Sequence, residues 1–382
     1  MSSEVISTFR TAAENYDKDV QQWKKTVGGK VIGFLLTDVP EELIHAAGFF
    51  PYGISGGNTR MDLADAHLQF WACSFVRSSL AMALDGKLDF LDGLVIPHTC
   101  DTTRMVLGIW KHTKPLPLMD NFRLPKQVER PSAKKYLVGE ITRFKKLLEE
   151  FRGFKITDEE LWQSIKLYNS NREMLRRLFL LHEKKPELLG NRDFYTIIKG
   201  SMIMPREEVN SLLKELLDSL ENEAKKISTD NNKLRIVISG TFIEPMEILD
   251  YFEESNGVIV ADDLKNGFRY IESDVPEKGD PVEALADRQR ARIPSAAYDF
   301  NKNPRRSFLV NMSREKKADG VILLHLKYCE PENYDYYDNY LALEAAGIPV
   351  MRIETEFGGV GLGQLRTRVQ AFMEMVGGGD GD

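Results

Sequence analysis

The chain has 382 residues, 42% of them hydrophobic and 29% charged, and 51 Lys and Arg against 58 Asp and Glu leave a net charge of −7. That balance gives no basic footprint for nucleic acid or an anionic membrane surface, and no apolar run reaches the ~18 residues of a spanning helix. Only three cysteines occur, which argues against a disulfide framework and for a reducing compartment. The start, Met1 to Ser7, lacks a charged segment leading into an apolar one, so a cytoplasmic location is expected. A single core rarely grows past ~250 to 300 residues, so two domains are expected.

Residues 5 to 25 place Val5, Phe9, Ala12, Tyr16, Val20 and Trp23 at helical spacing, which predicts one amphipathic helix packed on the outside. Lys30 to Leu36 is a short apolar run between Gly28-Gly29 and Pro40, better suited to a buried parallel strand than to a helix. Pro40 can enter the first helical turn, with Glu41 and Glu42 at its positive end, and Gly48 is placed to stop that helix. Ser55-Gly-Gly-Asn-Thr59 reads as a turn. Gly86 to Pro97 supplies a second strand, and Lys114 to Met119 a third with a proline-marked edge.

From Ser132 to Ile227 the sequence turns charged and helix-periodic with no convincing strand. Thr157-Asp-Glu-Glu160 has the form of a capping box. Ser228 to Lys233 reads as a linker, after which Leu234 to Gly240, Gly257 to Ala261, Gly320 to Leu324 and Ile348 to Ile353 form four short strands separated by helical stretches. The fold class is therefore α/β, two doubly wound, mostly parallel sheets facing a cleft. The expected division is residues 1–131 for the first α/β domain with its N-terminal helix, 132–227 for a helical insert and 228–376 for the second α/β domain. The tail 377–382 is expected to be disordered.

The cysteines fall at telling places. Cys100 follows the apolar run Leu94-Val95-Ile96, and Cys329 follows Val321 to Leu324 in the same way. Both are thereby expected just beyond the carboxyl end of a buried strand, where open α/β sheets bind ligands. Cys73 opens a helical pattern, where free amides and the helix dipole favour a thiolate or an anionic cluster. Soft thiolates select iron–sulfur clusters, zinc or copper(I). With zinc, His98 or His325 offers a fourth ligand; the alternative for each residue is plain packing, cysteines as small buried hydrophobes and histidines bonded to backbone.

Other chemistry lacks its motif. No G-x-x-x-x-G-K-[ST] or G-x-S-x-G occurs, and the glycines of Gly358 to Gly363 fall at the wrong intervals for a dinucleotide fold and read as a flexible loop.

Five stretches together, Pro40-Glu-Glu-Leu-Ile-His-Ala-Ala-Gly48, Cys73-Ser74, Pro97-His-Thr-Cys-Asp-Thr102, Lys327-Tyr-Cys-Glu-Pro331 and Gln364-Leu-Arg-Thr-Arg-Val-Gln-Ala-Phe372, resemble the 2-hydroxyacyl-CoA dehydratase and ATP-dependent benzoyl-CoA reductase family. The resemblance runs in order from about residue 30 to 375 and points to the shorter of the family's two related subunits. It implies Rossmann-like domains and a [4Fe-4S] cluster on Cys73, Cys100 and Cys329, with one iron left open. It further implies an acyl-CoA or aryl-CoA substrate, a larger related subunit, and a separate dimeric Fe–S ATPase activator that injects one low-potential electron. The thioester would then react through a ketyl-type radical. Ser239 to Pro245, Asp262-Asp263, Phe268-Arg269 and Gly279 to Leu285 are closer to the aromatic reductases, whereas Pro97 to Thr102 and Ser295 to Asp299 resemble dehydratases equally. A benzoyl-CoA (aryl-CoA) reductase is therefore the first expectation and a dehydratase the second. A non-enzymatic metal or Fe–S carrier using the same fold is a third. Thr37-Asp38-Val39 departs from members carrying a hydroxyl or cysteine variant there, and no catalytic residue is assigned.

Overall fold

The computed structural model describes residues 2–14, 18–57, 59–227, 232–293, 295–296, 304–358 and 361–378. Two four-stranded sheets organise it. The first holds β1 (Val31–Leu35), β2 (Phe50–Ile54), β3 (Gly93–His98) and β4 (Leu118–Arg123) in the order β2-β1-β3-β4. The second holds β5 (Leu234–Gly240), β6 (Gly257–Asp262), β7 (Gly320–Leu326) and β8 (Val350–Thr355) in the order β6-β5-β7-β8. Every pairing is parallel, and the two orders are the same when each sheet is counted from its own first strand. Strands β1, β6 and β7 are buried throughout, as continuous apolar runs covered by helices on both faces must be. The α/β architecture read from the sequence is thus the observed one.

Strand β2 was not foreseen, because Pro51 and Gly53 break its pattern. As an edge strand it tolerates Pro51, and Gly53 donates its outward amide to Met202 O at 2.8 Å. A side chain at Gly53 would come within 2.9 Å of Met202 Cβ, so the strand needs glycine there. Strand β4 starts at Leu118 instead of Lys114, since Pro115 and Pro117 cannot donate to a ladder. Arg143 then clamps it, reaching both oxygens of Asp120 at 3.0 and 2.7 Å.

The N-terminal stretch is two helices, Ser2–Glu14 and Lys18–Val27, in place of one. Its first helix packs on the outside as expected, its polar side exposed and Val5, Ile6, Phe9 and Ala12 buried against the helices Asn191–Ser201 and Arg206–Ala224. Gly200 leaves the room that the Phe9 ring fills. Residues 131–224 are occupied by four helices, Pro131–Arg152, Asp158–Lys184, Asn191–Ser201 and Arg206–Ala224. The second has the expected capping box, with Glu160 accepting from the Thr157 amide at 2.7 Å and Thr157 from the Glu160 amide at 3.2 Å. Gly48 takes the left-handed conformation (φ 72°) just after Glu41–Ala46, as a helix stop requires. Tyr16, Asn58, most of the linker (228–231), 297–299 of the dehydratase-like stretch, 359–360 in the glycine-rich loop and 379–382 in the tail lie outside the described residues. The last helix, Leu362–Gly377, includes Gly377, a residue expected in the tail.

In both sheets the order reverses beside the first strand, between β1 and β3 and between β5 and β7. Such switch points open a crevice at the carboxyl ends of the strands. Cys100 follows β3 and Cys329 follows β7, the corresponding strand in each sheet. The two ends meet, for Phe75 stacks on Phe242 with ring centroids 4.2 Å apart, and Lys265 beyond β6 reaches Asp38 beyond β1.

Candidate functional site

Each cysteine is the N-terminal cap of a helix: Cys73 of Ser74–Leu84, Cys100 of Asp101–Thr113 and Cys329 of Glu330–Ala345. All three line one cavity, with about 680 Å³ of free space including its mouth, together with Leu36, Phe75, Thr241, Lys265 and Tyr328. Helix N-termini leave amides without intrahelical partners and carry partial positive charge. Three of them opening on one cavity make it a place for thiolates and for an anionic group.

The backbone is bent to deliver these groups. Leu36 and Tyr328 adopt positive φ (61° and 63°), a region that costs a non-glycine residue ~1 to 3 kcal/mol and tends to collect at functional sites. At Tyr328 the turn lets the Cys329 amide fall back on Leu326 O at 2.9 Å. At Cys100 the cap is reciprocal: Thr103 Oγ1 accepts from the Cys100 amide at 3.2 Å and donates to the Cys100 carbonyl at 2.9 Å. Gly240 ends β5 so close to β7 that a Cβ there would sit 2.1 Å from Leu324 O. That approach puts Thr241 Oγ1 3.6 Å from Cys329 Sγ.

The sulfurs differ in character. The neighbouring Cys329 thiol pulls the Cys73 thiol below its usual range; the amides of Phe75 and Val76 add to this, against burial and the neighbouring Cys100. Cys329 goes the other way, held up by the neighbouring Cys73 and by burial. Among the described residues no group of three or more His, Cys, Asp or Glu is arranged to hold a metal ion. His98 and His325 do not line the cavity. His325 is instead buried edge-on against Tyr336, ring centroids 5.1 Å apart, and burial lowers its pKa to about 4.

Buried ion pairs wall the cavity. Lys265 Nζ lies 2.8 and 2.7 Å from the two Asp38 oxygens and 3.2 Å from Ser295 Oγ. Arg292 adds a second cation 3.9 Å from Asp38. Asp263 binds Arg269 and Arg305, and Arg305 continues to Glu332 at 2.7 Å. Asp38 is therefore an anchor for Lys265 in this geometry. Sequence reading missed Lys265, Arg305 and Glu332, because each is an isolated charge whose partner lies tens to hundreds of residues away. Glu332 alone carried a signal, three residues after a cysteine at a helix start. The aromatic residues flanking the cysteines divide: Phe75 and Tyr328 line the cavity, but Phe70 and Trp71 are 61% and 58% exposed.

Residues 36–376 match the family model described as 2-hydroxyglutaryl-CoA dehydratase, D-component. The chain is 30% identical over 375 residues to the (R)-phenyllactyl-CoA dehydratase beta subunit of Clostridium sporogenes, covering 98% of this chain and 99% of that one. It is 31% identical to one subunit of the benzoyl-CoA reductase of Thauera aromatica, over 86% of this chain and 87% of that one. It is also 31% identical to the (R)-2-hydroxyglutaryl-CoA dehydratase beta subunit of Acidaminococcus fermentans, over 92% and 94%. The chain belongs to the 2-hydroxyglutaryl-CoA dehydratase D-component family, whose matched relatives are subunits of CoA-thioester dehydratases and of a benzoyl-CoA reductase.

Proposed function

We propose that this chain is the iron–sulfur subunit of an ATP-activated enzyme acting on CoA thioesters, with Cys73, Cys100 and Cys329 holding a [4Fe-4S] cluster. The observation that carries the reading is the convergence of the three thiols, each at a helix N-terminus, on one cavity. The donor set fits the group. Thiolates are the ligands such clusters take, and three ligands leave one iron position for an oxygen donor. When bound, the cluster supplies one-electron chemistry. The chain's own residues supply the rest: amides at three helix starts and Lys265 oppose the negative charge, and Phe75 and Leu36 limit water. Anaerobically purified protein should be brown and contain iron and acid-labile sulfide, and Cys73→Ser, Cys100→Ser and Cys329→Ser should each lose iron. Full iron in all three variants would sink the assignment.

Reduction of an aryl-CoA is our first reading of the reaction, on the likeness of Ser239 to Pro245, Asp262-Asp263, Phe268-Arg269 and Gly279 to Leu285 to the aromatic reductases. The cavity lining itself draws on reductase-like and dehydratase-like stretches alike. Dehydration of a 2-hydroxyacyl-CoA is the second, favoured by the end-to-end match to a dehydratase beta subunit. With its larger subunit, an activating ATPase and a reductant, a reductase consumes ATP in step with electrons and yields a cyclic dienoyl-CoA. A dehydratase gives the enoyl-CoA with only catalytic ATP. Enoyl-CoA formation without ring reduction would replace the first reading by the second.

A further inference from the structure

Glu332 stands at the third position of the helix Glu330–Ala345 that Cys329 caps, from which a glutamate ordinarily turns back to the capping residue's own amide. Here that amide is already bonded to Leu326 O, and Glu332 turns elsewhere. Its Oε1 accepts from the Thr241 hydroxyl at 3.1 Å and its Oε2 from Arg305 Nη1 at 2.7 Å. The Thr241 oxygen lies 3.6 Å from Cys329 Sγ. Arg305 divides its charge, with Nε on Asp263 at 2.8 Å and Nη2 on Ser239 at 3.0 Å. Glu332, Asp263, Arg305 and Ser239 are all buried.

A threonine hydroxyl has one proton to give. The carboxylate takes it, being charged and closer than the sulfur. Thr241 therefore turns a lone pair, not a proton, toward Cys329, and the formal charge standing behind that hydroxyl is negative. Net charge near an iron–sulfur cluster and hydrogen bonds to its sulfurs are two of the levers that set its reduction potential. On this side of the cavity both act in one direction: the carboxylate disfavours an added electron, and Thr241 gives the sulfur no bond that would offset it.

We infer that Glu332, held by Arg305 and coupled to Cys329 through the Thr241 hydroxyl, is a positioning residue that lowers the reduction potential of the cluster. The inference rests on the cluster reading above. It makes Glu332 a determinant of how strong a reductant the subunit is, separate from whether it binds iron at all.

The test is a redox titration, followed by electron paramagnetic resonance, of the anaerobically purified complex carrying Glu332→Gln, Glu332→Asp or Asp335→Asn. Glu332→Gln should keep its iron and sulfide, and its midpoint should rise by about 59 mV, a tenfold change in the one-electron equilibrium. Glu332→Asp keeps the charge and should recover at least half of that shift. Asp335→Asn removes the same charge from a buried residue one turn along the helix, 3.8 Å from Arg305, and should move the midpoint less. An iron-replete Glu332→Gln with an unchanged midpoint would overturn the inference. So would equal shifts in Glu332→Gln and Glu332→Asp, or loss of iron in Glu332→Gln alone. Wild-type protein lacking iron and sulfide would instead defeat the cluster reading beneath it, a result distinct from these.

Discussion

Lys265 keeps its ammonium against strong opposition from burial, which with Arg292 and Arg269 lowers its pKa to about 8. Its partner Asp38 is lowered as well, to about 2, because Lys265, Arg292 and Arg269 outweigh its burial. Both partners shift down because three cations surround one carboxylate. The two signs separate on a pH scale. Asp38 stabilises the fold above pH 3.8, its value when free, and that contribution fades as pH falls toward 2. Lys265 binds its proton less tightly folded than unfolded, so between pH 8 and 10.5 the unfolded chain holds more protons and stability rises with pH. Denaturant melts across that alkaline window should show the rise in the wild type and a flatter profile in Lys265→Met. Asp38→Asn leaves a buried ammonium without its carboxylate and should cost ~3 to 5 kcal/mol. The double substitution Asp38→Asn/Lys265→Met should recover most of that loss, and failure to recover would show that Asp38 chiefly serves Arg292.

At the scale of elements, the approach of β5 to β7 governs the second half of the cavity. Gly240→Ala places a methyl group 2.1 Å from Leu324 O, a backbone atom that can move only if the strands part. The expected loss is ~1 to 3 kcal/mol or somewhat more, read by urea denaturation, with iron retention falling because Thr241 and Cys329 are displaced together. Thr157→Ala is the matched control: it removes a helix cap far from the cavity, should cost ~1 kcal/mol, and should leave iron content unchanged. Most of this framework was legible in the sequence. Apolar runs ending in Cys100 and Cys329 place both residues at strand ends, and Thr157 with Glu160 announce their helix start, because these signals are local. Strand β2 was hidden because an edge position excuses Pro51 and a close contact demands Gly53, facts that only the neighbours supply. The amphipathic stripe of the N-terminal stretch puts its first helix on the outside, as observed, but does not reveal that the apolar side meets the helices Asn191–Ser201 and Arg206–Ala224. Long-range ion pairs such as Lys265 with Asp38, 227 residues apart, leave no pattern in sequence.

For the molecule as a whole, the proposed cluster ties two halves that share one strand order. Cys73 and Cys100 belong to the half built on β1 to β4, and Cys329 to the half built on β5 to β8. The protein already joins them without metal, through the Phe75–Phe242 stack, the Asp38–Lys265 pair and the buried Tyr270 hydroxyl, which donates to Glu41 at 3.2 Å. Removing the cluster should therefore leave both sheets folded and lower stability by the free energy of a ligand that binds only the native state. A clamp has a particular signature. Losing Cys329 frees one half as completely as losing all three thiols, so Cys329→Ser and the triple variant should melt at the same temperature, both below the anaerobically loaded wild type. Their far-ultraviolet circular dichroism should match the wild type, since no helix or strand depends on the metal. Phe242→Ala removes the aromatic contact between the halves, where a buried phenylalanine truncated to alanine costs ~3 to 5 kcal/mol. If the cluster and the stack hold the same interface, that cost should be larger in the Cys329→Ser background than in the loaded protein, because a cluster bridging the halves limits how far they part. Strict additivity of the two losses would mean that the metal stabilises its own loops and does not join the halves.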